Sequence, residues 1–271
     1  MTAAEPQASA TIILLAPQYG ESEPFGLFLL KRRTGSSFMP DRFVFPGGKV
    51  EPGDGAEPFD DQTLRNCALR ELWEEAGVIL ATNSQAAAAL DGPERASALL
   101  ELESGSKSLA QALADLRLSP ALEALTPYAR WITPTARAKR FDTMFYLALM
   151  PEGQEAISDQ KETSQGIWLG PARALAENQA GRVELAPPQV RILGELAMHA
   201  SLEGLTSAVN QADLNPVQPF LWIDGKKRVI LLPWDPDYQA QEPQTAAKPC
   251  PAHLCSRLVH DKGRWLPFGV D

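Results

Sequence analysis

Three glutamates in this chain have the spacing of a metal-binding cluster. Glu71, Glu74 and Glu75 stand at i, i+3 and i+4, which places side chains within an arc of about 100° on a helix. Like charges at these spacings repel by about 0.2–0.5 kcal/mol per pair, and the helix dipole disfavours anions near a helix C-terminus. A hard divalent cation offsets both costs, because Mg²⁺ prefers oxygen ligands and often joins carboxylates to substrate phosphate. The alternative is a solvated acidic face, which most glutamate-rich helices present.

The residues around the glutamates favour the metal site. Arg70 can brace one carboxylate through a forked hydrogen bond, and Gly77 suits the left-handed residue that ends such a helix. A glycine turn, Gly47-Gly48, lies upstream. The apolar residues of the segment fall on the adjacent arc, which can face a core. They are Ala68, Leu69, Leu72, Trp73 and Ala76.

Taken together, these residues resemble the Nudix box, Gly-x5-Glu-x7-Arg-Glu-U-x-Glu-Glu-x-Gly-U, in which U is aliphatic. The second half of the motif matches at every fixed position from Arg70 to Val78. In the first half, Gly48-x5 reaches Asp54 where the family has Glu, and 15 residues separate Asp54 from Arg70 where the family has seven. The additional residues fit an enlarged loop before the helix, and the role of Asp54 is left open.

The resemblance implies an α/β protein, a Nudix-type α/β/α sandwich around a mixed sheet, in which the box forms a strand, a loop and a helix. It also implies that Glu71, Glu74 and Glu75 bind Mg²⁺ or Mn²⁺, joined by the carbonyl of Gly47. Such an ion polarises phosphate oxygens and lowers the pKa of an attacking water. The base that deprotonates this water varies within the family. We therefore predict catalytic roles for Glu71, Glu75 and a later loop residue, Glu162.

Two further segments are similar to the coenzyme A diphosphatase branch of the Nudix family, which includes the peroxisomal enzyme. Residues 30–40 are basic and then turn-forming, and residues 130–134 are followed by the segment 140–146. This resemblance implies coenzyme A or acyl-coenzyme A as the substrate. Hydrolysis of ADP-ribose or another nucleotide-sugar diphosphate is the alternative. A nucleotide sensor without catalysis is a third hypothesis, which the presence of all three glutamates disfavours.

Arginines near these segments are the predicted substrate-binding residues. Arg32, Arg33 and Arg140 could pair with substrate phosphates, because a guanidinium makes forked contacts with them. The alternative for Arg33 and Arg140 is an ordinary surface ion pair. Glu162 has a corresponding alternative, that of an exposed loop residue without a catalytic role.

The elements that position these residues follow from apolar runs and turn signals. We predict strands at residues 11–17, 25–32, 42–45, 130–133, 141–150 and 166–169, and a helix ending near residue 77. The Ala- and Leu-rich residues 82–126 are predicted to form a helical insertion after the box. One helix begins at Pro171, another spans residues 188 to about 202, and a hairpin turns at Asp224-Gly225. Residues 1–9 are predicted as a tail.

The predicted domains are a Nudix hydrolase domain at residues 8–235 and a C-terminal extension at residues 236–271 with a strand at residues 258–259. The formal charge of −9 disfavours nucleic-acid binding. The apolar runs are too short for a membrane span, and three cysteines are too few for a disulfide scaffold. We therefore expect a cytoplasmic protein whose partner is a small nucleotide substrate. A homodimer is left open.

Overall fold

The computed structural model describes residues 4–19, 23–36, 39–90, 92–209, 214–242 and 248–270. Residues 37–38 of the predicted basic segment and residues 1–3 of the predicted tail lie outside these ranges. Within them, most of the strands belong to one large sheet. Its members are β1 (Gln7–Tyr19), β2 (Glu23–Arg32), β3 (Phe43–Val44), β4 (Gly47–Lys49), β5 (Thr126–Ile132), β6 (Phe141–Leu149) and β7 (Thr163–Leu169).

The long strand β1 lies in the middle of this sheet. It pairs antiparallel with β2 and with the short β4, and parallel with β6. β7 extends the sheet by pairing antiparallel with β2. The sheet is therefore mixed, as predicted. The parallel ladder begins at Gln7 and Phe141, so the prediction of a tail was wrong for residues 7–9, where pairing with β6 and β4 outweighs a small and polar composition.

Helices cover both faces of the large sheet. They are α1 (Asp61–Ala76), α2 (Ser84–Ala89), α3 (Pro93–Glu103), α4 (Leu109–Asp115), α5 (Pro171–Ala180), α6 (Pro187–Leu196) and α7 (Leu202–Val209). Alternate residues of β1 point to opposite faces, so Ile12 packs in the core with α1 while Ile13 packs in the core with α5 and α6. Burial on both sides explains the continuous apolar run of this strand. The predicted α/β/α arrangement is confirmed.

The predicted helical segment after the box contains α2, α3 and α4, which pack beside α1. Ala98, Leu102 and Leu113 join the same core cluster as Leu72 and Trp73 of α1. Arg95 of α3 donates hydrogen bonds to the carbonyls of Gly77 and Leu90. The insertion is therefore attached directly to the end of the helix that carries the glutamates.

One predicted helix is divided in two. We predicted a single helix from residue 188 to about 202, whereas α6 ends at Leu196 and α7 begins at Leu202. The N–H groups of Met198 and His199 bond to the carbonyls of Glu195 and Leu196, three residues earlier. Such tightening of the last turn ends an α-helix, and no glycine or proline between residues 197 and 201 marks it in the sequence.

A smaller sheet is formed near the C-terminus. Its strands are β8 (Phe220–Asp224), β9 (Lys227–Leu231), β10 (Lys248–Pro249), β11 (Arg257–Asp261) and β12 (Arg264–Gly269). The β8–β9 hairpin was predicted, and β11 pairs with β9. This sheet contains residues on both sides of residue 235, and the division into two domains there stays a prediction. Among the described residues, no helix has the length and apolarity that crossing a bilayer requires.

Candidate metal and active site

The helix α1 presents the three glutamates at its C-terminal end. It begins at the cap Asp60, whose carboxylate accepts a hydrogen bond from the N–H of Gln62 at 3.0 Å. It ends at Gly77, which adopts the left-handed conformation (φ 68°) expected for it and donates its N–H to the carbonyl of Trp73. Buried apolar residues on one side of α1 fix its rotation against the sheet. This rotation directs Glu71 and Glu75 toward Gly47 and Gly48 of β4.

Gly47 and Gly48, which were predicted as a turn, lie in β4 paired with β1, and they contact two of the glutamates directly. The N–H of Gly47 donates to Oε2 of Glu75 at 2.8 Å. A Cβ atom at Gly48 would lie 2.3 Å from Oε1 of Glu71, so only glycine leaves room for that carboxylate in its present place. The close approach explains why β4 begins with two glycines where it lies opposite this helix.

Arg70 joins the carboxylates into one network. Its Nε and Nη2 atoms form a fork with Asp54 at 2.8 and 2.9 Å. Its Nη1 atom donates to Glu71 at 2.9 Å and to Glu74 at 2.8 Å. Its Nη2 atom also reaches the carbonyl of Lys49 at 2.9 Å. The forked partner is therefore Asp54, and the contacts with the two glutamates are single hydrogen bonds.

Asp54 is the residue whose importance the sequence left open. Its side chain is fully buried and also accepts a hydrogen bond from the N–H of Glu51 at 2.8 Å. Asp54 thus anchors the start of the enlarged loop to Arg70. The position six residues after Gly48, where the family has Glu, was the signal that could have identified this role.

The electrostatics of the cluster disfavour three bare carboxylates. Burial raises the pKa of Glu71 to about 7, with Arg70 opposing the shift and Glu74 adding to it. Burial and the charge of Glu71 raise the pKa of Glu75 well above its usual range, against the Gly47 N–H. Burial also raises the pKa of Glu74. Each of these carboxylates would be stabilised as an anion by a nearby positive charge.

The donor atoms fit a divalent cation of the Mg²⁺ or Mn²⁺ type, because carboxylate oxygens and the predicted carbonyl oxygen of Gly47 are all hard ligands. Within the described ranges, no group of three or more Asp, Glu, His or Cys side chains is arranged as a formed metal site. Glu71, Glu74 and Glu75 each turn one oxygen toward Arg70 or Gly47. The other oxygen of each carboxylate accepts no hydrogen bond from the described residues, and these oxygens are the candidate ligands.

Glu162 and Arg32 lie close enough to this cluster for their charges to act on it. Nη2 of Arg32 is 3.9 Å from Oε2 of Glu162, whose side chain is 72% exposed. The charge of Glu162 adds to the raised pKa of both Glu71 and Glu75, and Arg32 opposes the shift at Glu75. Residues predicted on three distant segments of the chain therefore come together.

The remaining predicted arginines have different surroundings. Arg33 is exposed beside the Glu162 loop, and its Nη2 atom donates to the carbonyl of Gln160 at 2.6 Å. Arg140 is buried, and its guanidinium donates to the carbonyls of Thr133 at 3.0 Å and Ala4 at 2.6 Å. These contacts fasten the start of β6 to neighbouring backbone and do not involve the glutamate cluster. Phosphate binding by Arg140 stays a prediction that its contacts do not support.

Comparisons with known proteins identify the family of the chain. The family model described as "NUDT19 Nudix domain" matches residues 54–196, and the one described as "NUDIX domain" matches residues 5–95. The chain belongs to the Nudix hydrolase family. Its resemblance to the coenzyme A diphosphatase branch is thereby confirmed, and Nudix hydrolases generally use divalent metal ions.

Curated relatives of this Nudix hydrolase carry the description "Acyl-coenzyme A diphosphatase NUDT19". The one from Xenopus laevis is 24% identical, over an alignment that covers 92% of this chain and 81% of the relative. The human one is 27% identical, over an alignment that covers 80% of this chain and 73% of the relative. A crystal structure of a Nudix hydrolase from Alicyclobacillus acidocaldarius has a TM-score of 0.65 at 25% identity and covers 78% of this chain and 99% of its own.

Proposed function

We propose that this Nudix hydrolase cleaves the diphosphate linkage of coenzyme A or acyl-coenzyme A, using Mg²⁺ or Mn²⁺ bound by Glu71, Glu74, Glu75 and the carbonyl of Gly47. The products are an adenosine bisphosphate and a phosphopantetheine or its acyl derivative. The observation that carries the proposal is the buried carboxylate cluster around Arg70, which lies close enough to Glu162 for that charge to act on Glu71. The descriptions of the relatives support the choice of substrate.

Each residue of the cluster has a definable task in this reaction. When bound, the divalent ion polarises the phosphate oxygens and lowers the pKa of water. Arg70 holds Glu71 and Glu74 by one oxygen each and so fixes the direction of the others. The N–H of Gly47 does the same for Glu75. These contacts limit the reorganisation that the site needs when substrate binds.

The attacking water needs a group that accepts its proton. Glu162 is 72% exposed and lies close enough to the cluster for its charge to act on Glu71 and Glu75, so its carboxylate can take this proton, and Glu71 is the alternative base. Arg32 stands beside Glu162 and can pair with a substrate phosphate through its guanidinium. Binding of a phosphate there would compete with the long contact between Arg32 and Glu162.

A panel of substrates tests the assignment. Coenzyme A, an acyl-coenzyme A, ADP-ribose, NADH and a dinucleoside polyphosphate are each incubated with the enzyme and Mg²⁺ or Mn²⁺, and the products are separated by chromatography. Preference for coenzyme A or its acyl derivative supports the proposal. Preference for ADP-ribose keeps the metal site and overturns the substrate. Tight nucleotide binding with no turnover of any substrate means that the protein is a sensor.

A further inference from the structure

The loop that carries Glu162, residues 150–162 between β6 and β7, is hydrogen-bonded to α1, the helix that carries the three glutamates. The N–H of Ile157 donates to the carbonyl of Ala76 at 3.0 Å, and the N–H of Asp159 donates to the carbonyl of Glu75 at 3.1 Å. The second bond joins the loop to the backbone of a glutamate in the cluster. The two sides of the proposed active site are therefore connected through main-chain atoms.

The side chain of Asp159 organises the rest of the loop. Its Oδ2 atom accepts from the N–H of Glu162 at 2.8 Å, and its Oδ1 atom accepts from the N–H of Thr163 at 3.0 Å and from the Thr163 hydroxyl at 2.5 Å. Gln160 between them has a φ of 57°, which is uncommon for a residue other than glycine. The carboxylate thus closes a tight turn and receives three hydrogen bonds from the two residues at its far end.

Contacts on the outer side of the loop complete its attachment. The carbonyl of Glu162 accepts from the N–H of Arg33 at 3.1 Å, so both backbone polar groups of Glu162 are hydrogen-bonded. Nζ of Lys161 lies 2.6 and 2.8 Å from the carboxylate oxygens of Glu103 in the helical insertion. The backbone of Glu162 is held while its side chain stays exposed to solvent.

We propose that Asp159 is a positioning residue, which holds the backbone of Glu162 at a fixed place relative to Glu75 and so sets the reach of the Glu162 carboxylate into the site. The inference rests on the proposed function, because it takes Glu162 to act in hydrolysis. Displacement of a catalytic group by about 1 Å can reduce turnover by about 100-fold. A residue that touches neither substrate nor metal can therefore control kcat.

Substitutions at Asp159 are compared in the full-length enzyme with coenzyme A and Mg²⁺. Asp159→Ala removes all three accepted hydrogen bonds and should lower kcat by about 10–100-fold while KM changes by less than about threefold. Asp159→Asn keeps one acceptor oxygen and should give an intermediate kcat. The matched control is Asn83→Ala in the insertion, which removes a side-chain cap on the N–H of Ala86 and should leave kcat unchanged.

A double-substitution cycle separates positioning from a general structural role. If Asp159 acts through Glu162, Asp159→Ala should change kcat by less than about twofold in a Glu162→Gln background, since the positioned group is already lost. Equal losses in both backgrounds, or wild-type kcat in Asp159→Ala, would overturn the inference. Thermal unfolding checks that each variant is folded, and Asp159→Asn carries the test if the alanine variant is not.

Failure of the proposed function gives a different result. A wild-type enzyme without turnover on any diphosphate substrate contradicts the function, whatever the variants do. Amide hydrogen exchange then decides the positioning inference alone. Faster exchange at Glu162 and Thr163 in Asp159→Asn supports it, and unchanged exchange overturns it.

Discussion

Asp54→Ala tests whether the network around Arg70 holds the site together. Asp54 is fully buried and the Arg70 side chain is 6% exposed, so the value for a buried ion pair applies. Removing one partner of such a pair costs about 3–5 kcal/mol, because the other charge stays buried. Arg70 keeps its contacts with Glu71, Glu74 and the Lys49 carbonyl. We therefore expect a loss at the lower end, about 3 kcal/mol.

Urea unfolding measures this loss, and metal binding measures its consequence for the site. Without Asp54, the Arg70 guanidinium is free to move toward Glu71 and Glu74, so the Kd for Mn²⁺ should rise by about 10–100-fold, as for other partners that orient metal ligands. The matched control is Asp115→Ala, which removes an exposed partner of Lys107 and should cost less than about 1 kcal/mol. A loss below about 1 kcal/mol for Asp54→Ala, with unchanged Mn²⁺ affinity, would refute the reasoning.

Three further predictions follow from contacts in or near the site. Gly48→Ala places a Cβ atom 2.3 Å from Oε1 of Glu71, so this flexible carboxylate must move. We expect kcat to fall by at least about 10-fold with little change in Tm. An unchanged kcat would contradict the close packing. Without metal, Glu71 keeps its proton in the folded state up to about pH 7, whereas the unfolded chain loses it near pH 4.5. In EDTA, the free energy of unfolding measured with urea should therefore fall as the pH rises between these values. Glu71→Gln should make this fall smaller. An equal dependence on pH in the variant and the wild type would contradict the pKa shift. Arg140→Ala should lower the free energy of unfolding by about 1–3 kcal/mol, since the carbonyls of Thr133 and Ala4 lose their donor. It should leave KM unchanged. A raised KM at unchanged stability would instead support binding of a substrate phosphate by Arg140.

The sequence predicted the helix that carries the glutamates better than the contacts of their side chains. A helix with an acidic face can be predicted from the spacing of Glu71, Glu74 and Glu75 and from the apolar arc beside them. The helical period determines which residues lie on the acidic face and which lie on the apolar one. The fork from Arg70 to Asp54 was not predicted, because it depends on how the enlarged loop folds back. Motif position suggested Asp54 as a candidate without identifying its partner. Such pairs depend on tertiary packing, which spacing along the chain does not encode.

Long-range pairing explains the other differences between the prediction and the structure. Residues 7–9 are a strand because β6 and β4 bind them, and both partners are distant in the chain. The sequences of β11 and β12 contain charged residues such as Arg257 and Asp261 and lack the apolar–polar alternation of a half-buried strand. Arg257 is buried against Asp235 and Asp237, so its charge is satisfied partly by Asp235, which precedes the predicted extension. Arg140 similarly has buried contacts that no local pattern indicates.

Hydrolysis of coenzyme A in H₂¹⁸O, with and without Mg²⁺, tests the central claim most directly. Wild-type enzyme and Glu75→Gln are compared, with Glu203→Gln on the exposed side of α7 as the control, and the products are analysed by mass spectrometry. The account predicts that the reaction depends on the metal and gives two phosphomonoesters, one of which carries one ¹⁸O atom. Turnover should fall by at least about 100-fold in Glu75→Gln and stay unchanged in Glu203→Gln. Turnover that survives Glu75→Gln, or no turnover of any diphosphate despite tight nucleotide binding, would contradict it.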